Sequence, residues 1–115
     1  MVSKIDREKL IKITLRQEYI WLTGDYKKAI LLEYFLCNQK NNNDWFNLSY
    51  DSISKNSLLG FTSANLRNHI KHLIDKGWIE RNYDETLKFA STFKYKVNKE
   101  KIEADIEKIL RKIGL

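Results

Sequence analysis

Hydrophobic residues in the middle of the chain first follow a helical repeat and then alternate with polar residues. The segment from Ser63 to Lys76 carries its apolar residues three and four positions apart, which predicts a helix with one apolar face. Gly77 follows a last turn that contains lysine, as expected of a left-handed C-cap. The segments 78–82 and 93–97 alternate with a period of two and predict the strands of a hairpin. The apolar face of the helix consists of Leu66, Ile70, Leu73 and Ile74.

Four further elements are predicted before this helix. Residues 45–48 form a short β-prone run, and Ser49 after them is a candidate N-cap for a short helix that carries Ile53 inward. Upstream, residues 26–39 predict a helix whose apolar residues cover most of its circumference, so we expect it to be nearly surrounded by other elements. Residues 11–15 alternate and predict a short strand or extended segment.

The last part of the chain, after Asn98, predicts an amphipathic helix over residues 99–115. Its aliphatic residues recur at spacings of four, three and four, like a short coiled-coil seam. This stripe can pair with a second copy of the chain across a two-fold axis, or it can pack on the helix at 26–39 within the same chain. We expect a homodimer, because the apolar helix at 26–39 could share the interface. The stripe consists of Ile102, Ile106, Ile109, Leu110 and Ile113.

Length and charge narrow the class of protein. With 115 residues the chain is expected to form one domain, residues 1–115, to whose core the terminal elements contribute. Its formal net charge is +6 and its pI is near 9.4, which favours nucleic acid as a partner over an acidic protein or a membrane surface. In the predicted hairpin, Lys94 and Lys96 share one strand face. That face fits either phosphate contact or a solvated strand that resists aggregation.

The sequence contains no recognisable catalytic or metal-binding motif. It lacks a glycine-rich phosphate loop, a zinc-protease motif and a nucleophile elbow, so we expect no enzyme activity and no cofactor. His69 and His72 lie three positions apart, with Asp75 three further on, but no set of ligands completes a tetrahedral metal site. Cys37 is the only cysteine. No apolar run reaches the roughly 18 residues of a membrane span, and residues 1–12 lack a signal-peptide core, so we expect a metal-free cytoplasmic protein.

Two motifs connect these elements to a known family. The first is Ser49-Tyr50-Asp51-Ser52-Ile53, and the second runs from Leu66 to Ile79 with its end at Gly77-Trp78-Ile79. With them, residues 45–98 resemble the winged helix-turn-helix domains of phage and plasmid replication initiators and of related small transcriptional regulators. The resemblance implies an α+β fold, with a three-helix core, a recognition helix from Ser63, a β-hairpin wing over residues 78–98, and an added C-terminal helix.

The function implied is binding of double-stranded DNA without catalysis, as in a small transcriptional regulator of a phage or plasmid. Two alternatives remain open: a replication-initiation accessory protein of a mobile element, and a winged-helix module for protein–protein interaction. Asparagine and arginine on the exposed arc of the helix can pair with bases and lysine with phosphate, although such a composition is also ordinary for a solvated helix. The residues expected to contact DNA are Ser63, Ala64, Asn65, Arg67, Asn68, Lys71 and His72 on the helix, and Lys88, Lys94 and Lys96 in the wing.

Overall fold

The chain has a mixed α+β architecture. A computed structural model describes residues 14–39, 44–49, 52–53, 63–83 and 92–114, which form four helices and a three-stranded antiparallel sheet. Ser52 and Ile53 also have helical backbone. The helices are α1 (Gln17–Thr23), α2 (Tyr26–Asn38), α3 (Ser63–Asp75) and α4 (Lys99–Lys112), and the strands are β1 (Phe46–Ser49), β2 (Ile79–Tyr83) and β3 (Thr92–Val97).

The sheet has the order β1-β3-β2, so the last strand in sequence lies in the centre. β3 pairs antiparallel with both neighbours: Tyr95 lies opposite Phe46 of β1 and opposite Arg81 of β2. Both strands of the predicted hairpin are therefore confirmed, with bounds within one residue of those expected. Most of the predicted loop between them, residues 84–91, lies outside the described residues.

The core lies between one face of this sheet and the helices. The apolar face predicted for α3 is confirmed, since Leu66, Ile70 and Leu73 are fully buried. α2 is the most enclosed helix, because its apolar residues pack on several sides at once. The ring of Phe35 from α2 lies 4.9 Å from the ring of Tyr95 and 6.1 Å from that of Phe46, centroid to centroid. The aromatic rings thus join α2 to the middle of the sheet.

Local capping bonds set the ends of the helices. The Asp25 carboxylate accepts a hydrogen bond of 3.0 Å from the Lys27 N–H at the start of α2. At the end of α3, Gly77 has a φ of 78°, the left-handed conformation predicted for it. Its N–H donates to the Ile74 carbonyl at 2.9 Å, and the Trp78 N–H donates to the Leu73 carbonyl at 3.1 Å. This pair of bonds is a Schellman motif, which satisfies carbonyls that the helix leaves unpaired.

The first helix, α1, occupies a part of the chain whose hydrophobic pattern is ambiguous. An ion pair fastens the segment before it to α2: the Arg16 guanidinium donates to both carboxylate oxygens of Glu33, at 2.7 and 3.2 Å. Glu33 is buried, and the same guanidinium lies 4.1 Å from the centre of the Tyr19 ring. Residues 11–13 of the predicted strand lie outside the described residues, and residues 14–16 have no regular structure.

The C-terminal helix is confirmed, and the structure decides part of the role of its aliphatic stripe. Ile102 and Ile106 are buried in the core of the chain itself, where α4 packs against α1. They are therefore closed to a second copy in this structure, which corrects their assignment to a dimer interface. Leu110 is half-buried and Ile113 is 51% exposed. Dimerisation through the outer end of the stripe stays a prediction, as it does for the half-buried Ile109.

Candidate nucleic-acid interface

The exposed arc of α3 follows directly from the burial of its other face. Because every third or fourth residue is fixed in the core, the intervening positions must point to solvent. The side chain of Ser63, where the helix begins, lies outside the part of the chain that the structure describes. The exposed residues of the arc that were expected to contact DNA are Ala64, Asn65, Arg67, Asn68 and Lys71.

His72 differs from these residues because its ring packs against a buried tryptophan. It is half-buried, and its ring centroid lies 6.3 Å from that of Trp78 with 27° between the ring planes. The Trp78 Nε1 atom donates to the Asp105 Oδ2 atom at 2.8 Å, and Lys101 Nζ lies 3.0 Å from Oδ1 of the same carboxylate. Burial opposes ionisation of Asp105, yet these two donors keep its pKa below the ordinary value. The end of α3 is thereby tied to α4.

The pKa values of His69 and His72 on α3 are shifted by burial and by neighbouring charges. Burial is the main cause that lowers the pKa of His72, and Lys28 and Lys76 lower it further. Burial also lowers the pKa of His69, where Lys28 adds to the effect and a nearby aspartate opposes it. Both rings are consequently neutral near pH 7. The charge of Lys28 thus acts on both histidines, in agreement with the contact between α2 and α3.

Sequence reasoning missed this lysine, although a local signal exists. Lys27 and Lys28 occupy the first turn of α2, next to the cap residue Asp25. Cations are disfavoured there because the amino end of a helix carries a partial positive charge. Two lysines that oppose the helix dipole are a sequence cue for an anion-binding surface, whereas only the fold brings them beside α3.

The cations of the β2–β3 pair divide between the two faces of the sheet. Lys94 and Lys96 alternate with the core residues of β3 and lie on the face directed away from the core. Arg81 lies on the other face of the sheet, opposite Tyr95, and its guanidinium lies 4.6 Å from the centre of the Phe93 ring. Arg81 was not expected in the interface, even though strand alternation alone places it on the side of the helices. Lys88 lies outside the described residues.

The described residues offer neither a metal site nor a membrane span. No group of three or more histidine, cysteine, aspartate or glutamate side chains in the described segments could hold a metal ion. Nor does any helix in these segments combine the length and apolar character needed to cross a membrane.

Comparison with protein-family models, curated proteins and solved structures gave no match to this chain.

Proposed function

We propose that the protein binds double-stranded DNA as a winged helix-turn-helix protein, with α3 as the recognition helix. The observation that carries this proposal is the exposed arc of α3, which combines small, amide and basic residues and is held rigidly by a fully buried opposite face. The order of the described elements also supports it. A helix, a short strand, two residues of helical backbone, a second helix and an antiparallel strand pair follow one another as in such domains.

The arc has the chemistry that major-groove recognition requires. α3 has 13 residues and is thus about 20 Å long, enough to lie across the groove. Asn65 and Asn68 can each pair bidentately with adenine, and Arg67 can pair with guanine. Ala64 lets the helix backbone approach the base edges, and Lys71 is placed to bind phosphate.

Flanking cations would supply the phosphate contacts that position the helix. Lys28 lies near His69 and His72, and Lys76 lies near His72, so both charges border α3. On the hairpin, Lys94 stands nearer the distal loop than Lys96 and is the better placed of the two to reach a phosphate beyond the groove. A wing used in this way grips the backbone beside the recognition helix, across the adjacent minor groove.

A small transcriptional regulator is the role that we favour, with an accessory role in replication as the alternative. A homodimer would present two recognition helices to half-sites about 34 Å apart. The exposed Ile113 at the end of α4 is available for such pairing. The alternative of a protein-interaction module is supported by the exposure of large apolar residues such as Trp21 and Tyr26.

Paired variants test the assignment of α3. A duplex site is first selected from a random pool, and affinities are then measured for this site and for random duplex by fluorescence anisotropy. Arg67→Ala with Asn68→Ala should remove most of the preference for the selected site, whereas Lys94→Glu with Lys96→Glu should weaken binding to both duplexes.

Lys108→Glu is the matched control for charge, since Lys108 is exposed on α4. It should change both affinities far less than the Lys94 and Lys96 substitutions do. Equal losses on selected and random duplex from both pairs of substitutions would remove α3 as the recognition helix.

A further inference from the structure

The sheet face directed away from the core carries an exposed tryptophan beside two lysines. Trp45 directly precedes β1 and is 40% exposed, and the Lys96 Nζ atom lies 5.8 Å from the centre of its ring. One pleat further along β3, Lys94 stands between Asn47 of β1 and Asn82 of β2. We call the surface formed by these five residues the outer-face patch.

Packing among the residues that the structure describes does not account for the position of Trp45. Its ring belongs neither to the buried core cluster nor to the half-buried residues that pack against that cluster. A cation–π contact with a lysine at the surface is weak, so Lys96 does not explain it either. An exposed indole on an open sheet face is, however, a surface on which a nucleobase can stack, because every base has a π face.

A groove extends from Trp45 to the edge strand β2. Its volume is about 480 Å³, within the range of roughly 300–1,000 Å³ typical of pockets for small ligands, so one nucleotide can enter it. Its lining joins the indole ring to guanidinium, amide, carboxylate and apolar groups. Among the lining residues are Trp45, Ile74, Glu80, Arg81, Asn82 and Asn98.

We propose that the outer-face patch binds single-stranded nucleic acid, with one unpaired base stacked on Trp45 beside Lys96 and the adjoining phosphate bound by Lys94. Charge complementarity favours this occupant, since the chain carries a net charge of +6 and the patch itself contributes two cations. An acidic peptide would satisfy the lysines but would leave the indole face unused. A duplex cannot use that face, because its bases are already stacked on one another.

The acidic residue of the groove fits the same arrangement. Glu80 lies opposite Lys96 in the register and disfavours a phosphate directly above it. Its carboxylate can instead accept a hydrogen bond from an N–H on the edge of an unpaired base, such as the amino group of cytosine or the N3–H of thymine. Asn82 beside it offers both a donor and an acceptor to a base edge. The phosphates therefore follow the Lys94 side of the patch, and the base enters the groove.

The proposal does not depend on duplex binding by α3. The lysines are shared with the proposed wing contact, whereas Trp45 is not, so substitutions of Trp45 separate the two functions. We would measure the affinity of the full chain for labelled oligo(dT) of about 12 nucleotides and for random duplex, both by fluorescence anisotropy. Trp45→Leu should weaken oligo(dT) binding about tenfold and leave duplex binding unchanged, while Trp45→Phe should retain most of the affinity because it keeps a ring face.

Trp21→Leu is the matched control, because Trp21 is 39% exposed but lies on α1. It should leave both affinities unchanged. The proposal is overturned if the wild-type chain does not bind oligo(dT) at low salt, if Trp45→Leu binds it as tightly as wild type, or if Trp45→Leu loses duplex and oligo(dT) binding equally. Binding of oligo(dT) without binding of duplex would refute the proposed function of α3 and support the outer-face patch.

Folding of the variants is checked by circular dichroism. Should Trp45→Leu fail to fold, intrinsic fluorescence replaces it as the test. In Trp21→Phe the remaining tryptophans are Trp45 and the buried Trp78, so oligo(dT) should quench the emission of Trp45. Unchanged emission at saturating oligo(dT) would overturn the proposal. Oligo(U) of the same length distinguishes RNA from DNA as the source of the strand, and equal binding of both supports recognition of unpaired bases.

Discussion

A buried glutamine after α2 completes the hydrogen bonding of the central strand. Gln39 is 5% exposed; its Oε1 atom accepts a bond of 2.6 Å from the Val97 N–H, and its Nε2 atom donates to the Val97 carbonyl at 3.4 Å. The pairing of β1 with β3 extends only to Tyr95, so the side-chain amide takes the place of the next strand residue on that side. Gln39→Ala should therefore destabilise the fold at a single, well-defined point.

The magnitude follows from the groups left without partners. A buried N–H that loses its acceptor costs about 1–3 kcal/mol. The second bond is near the limit of hydrogen-bond length and adds little, whereas loss of the buried side-chain methylene adds about 0.8 kcal/mol. We expect Gln39→Ala to lower the free energy of unfolding by about 2–4 kcal/mol, a large share of the roughly 5–15 kcal/mol of a typical domain.

Urea unfolding followed by circular dichroism measures this loss. Gln17→Ala is the control, because Gln17 is exposed at the start of α1, and it should change the stability by less than about 0.5 kcal/mol. Gln39→Glu keeps the acceptor but sets a carboxylate against the Val97 carbonyl. Since protonation of the carboxylate restores a donor, the loss of stability of Gln39→Glu relative to wild type should become smaller as the pH falls from about 7 to about 5. A Gln39→Ala variant as stable as Gln17→Ala would refute the role assigned to this amide.

Three further predictions concern α3 and α4. Burial lowers the pKa of His69 and His72 below the ordinary value of 6.5 in the folded state, so the unfolded chain binds more protons at acidic pH. The urea midpoint should therefore decrease as the pH is lowered from about 7.5 to about 5.5. The decrease should be smaller in the variant with both histidines changed to glutamine. Gly77→Ala should lower the stability by about 1–2 kcal/mol, because alanine is strained at the positive φ of this residue. Steric clash should add little, since the new methyl group contacts only Lys101 side-chain atoms at ordinary distances. Gly77→Asn should cost less, because asparagine tolerates this conformation better. If the chain dimerises through α4, Ile113→Asp should give a folded monomer in sedimentation velocity, whereas the corresponding change at the buried Ile106 should unfold the chain.

Elements governed by neighbours in sequence could be predicted from the sequence. The spacing of Leu66, Ile70 and Leu73 predicts which face of α3 is buried. Gly77 predicts where the helix ends, because a glycine readily adopts the left-handed conformation of a C-cap. The exposed arc of the candidate interface was predictable for the same reason, since the buried face of a helix determines the exposed one. The paired strands were predictable because alternation survives wherever one face of a sheet is buried.

Contacts between residues distant in sequence could not be predicted in this way. The hydrogen bonds of the Gln39 side chain with the Val97 backbone and of Trp78 with Asp105 join residues 58 and 27 positions apart, and no local pattern specifies such partners. The order β1-β3-β2 brings Trp45 beside Lys96 only after the chain has folded. The position of Lys28 next to α3 likewise depends on how two helices pack.

Binding of random-sequence duplex DNA at two salt concentrations tests the DNA-binding function most directly. The wild-type chain should bind at about 50 mM salt and lose affinity steeply by about 200 mM, with log K falling by about 0.9 per phosphate contact for each tenfold rise in salt. Lys28→Ala and Lys71→Ala should each reduce that slope by about one, and Lys108→Ala should leave it unchanged. Absence of binding at low salt, or an affinity that does not respond to salt, would contradict the proposal that this chain binds DNA.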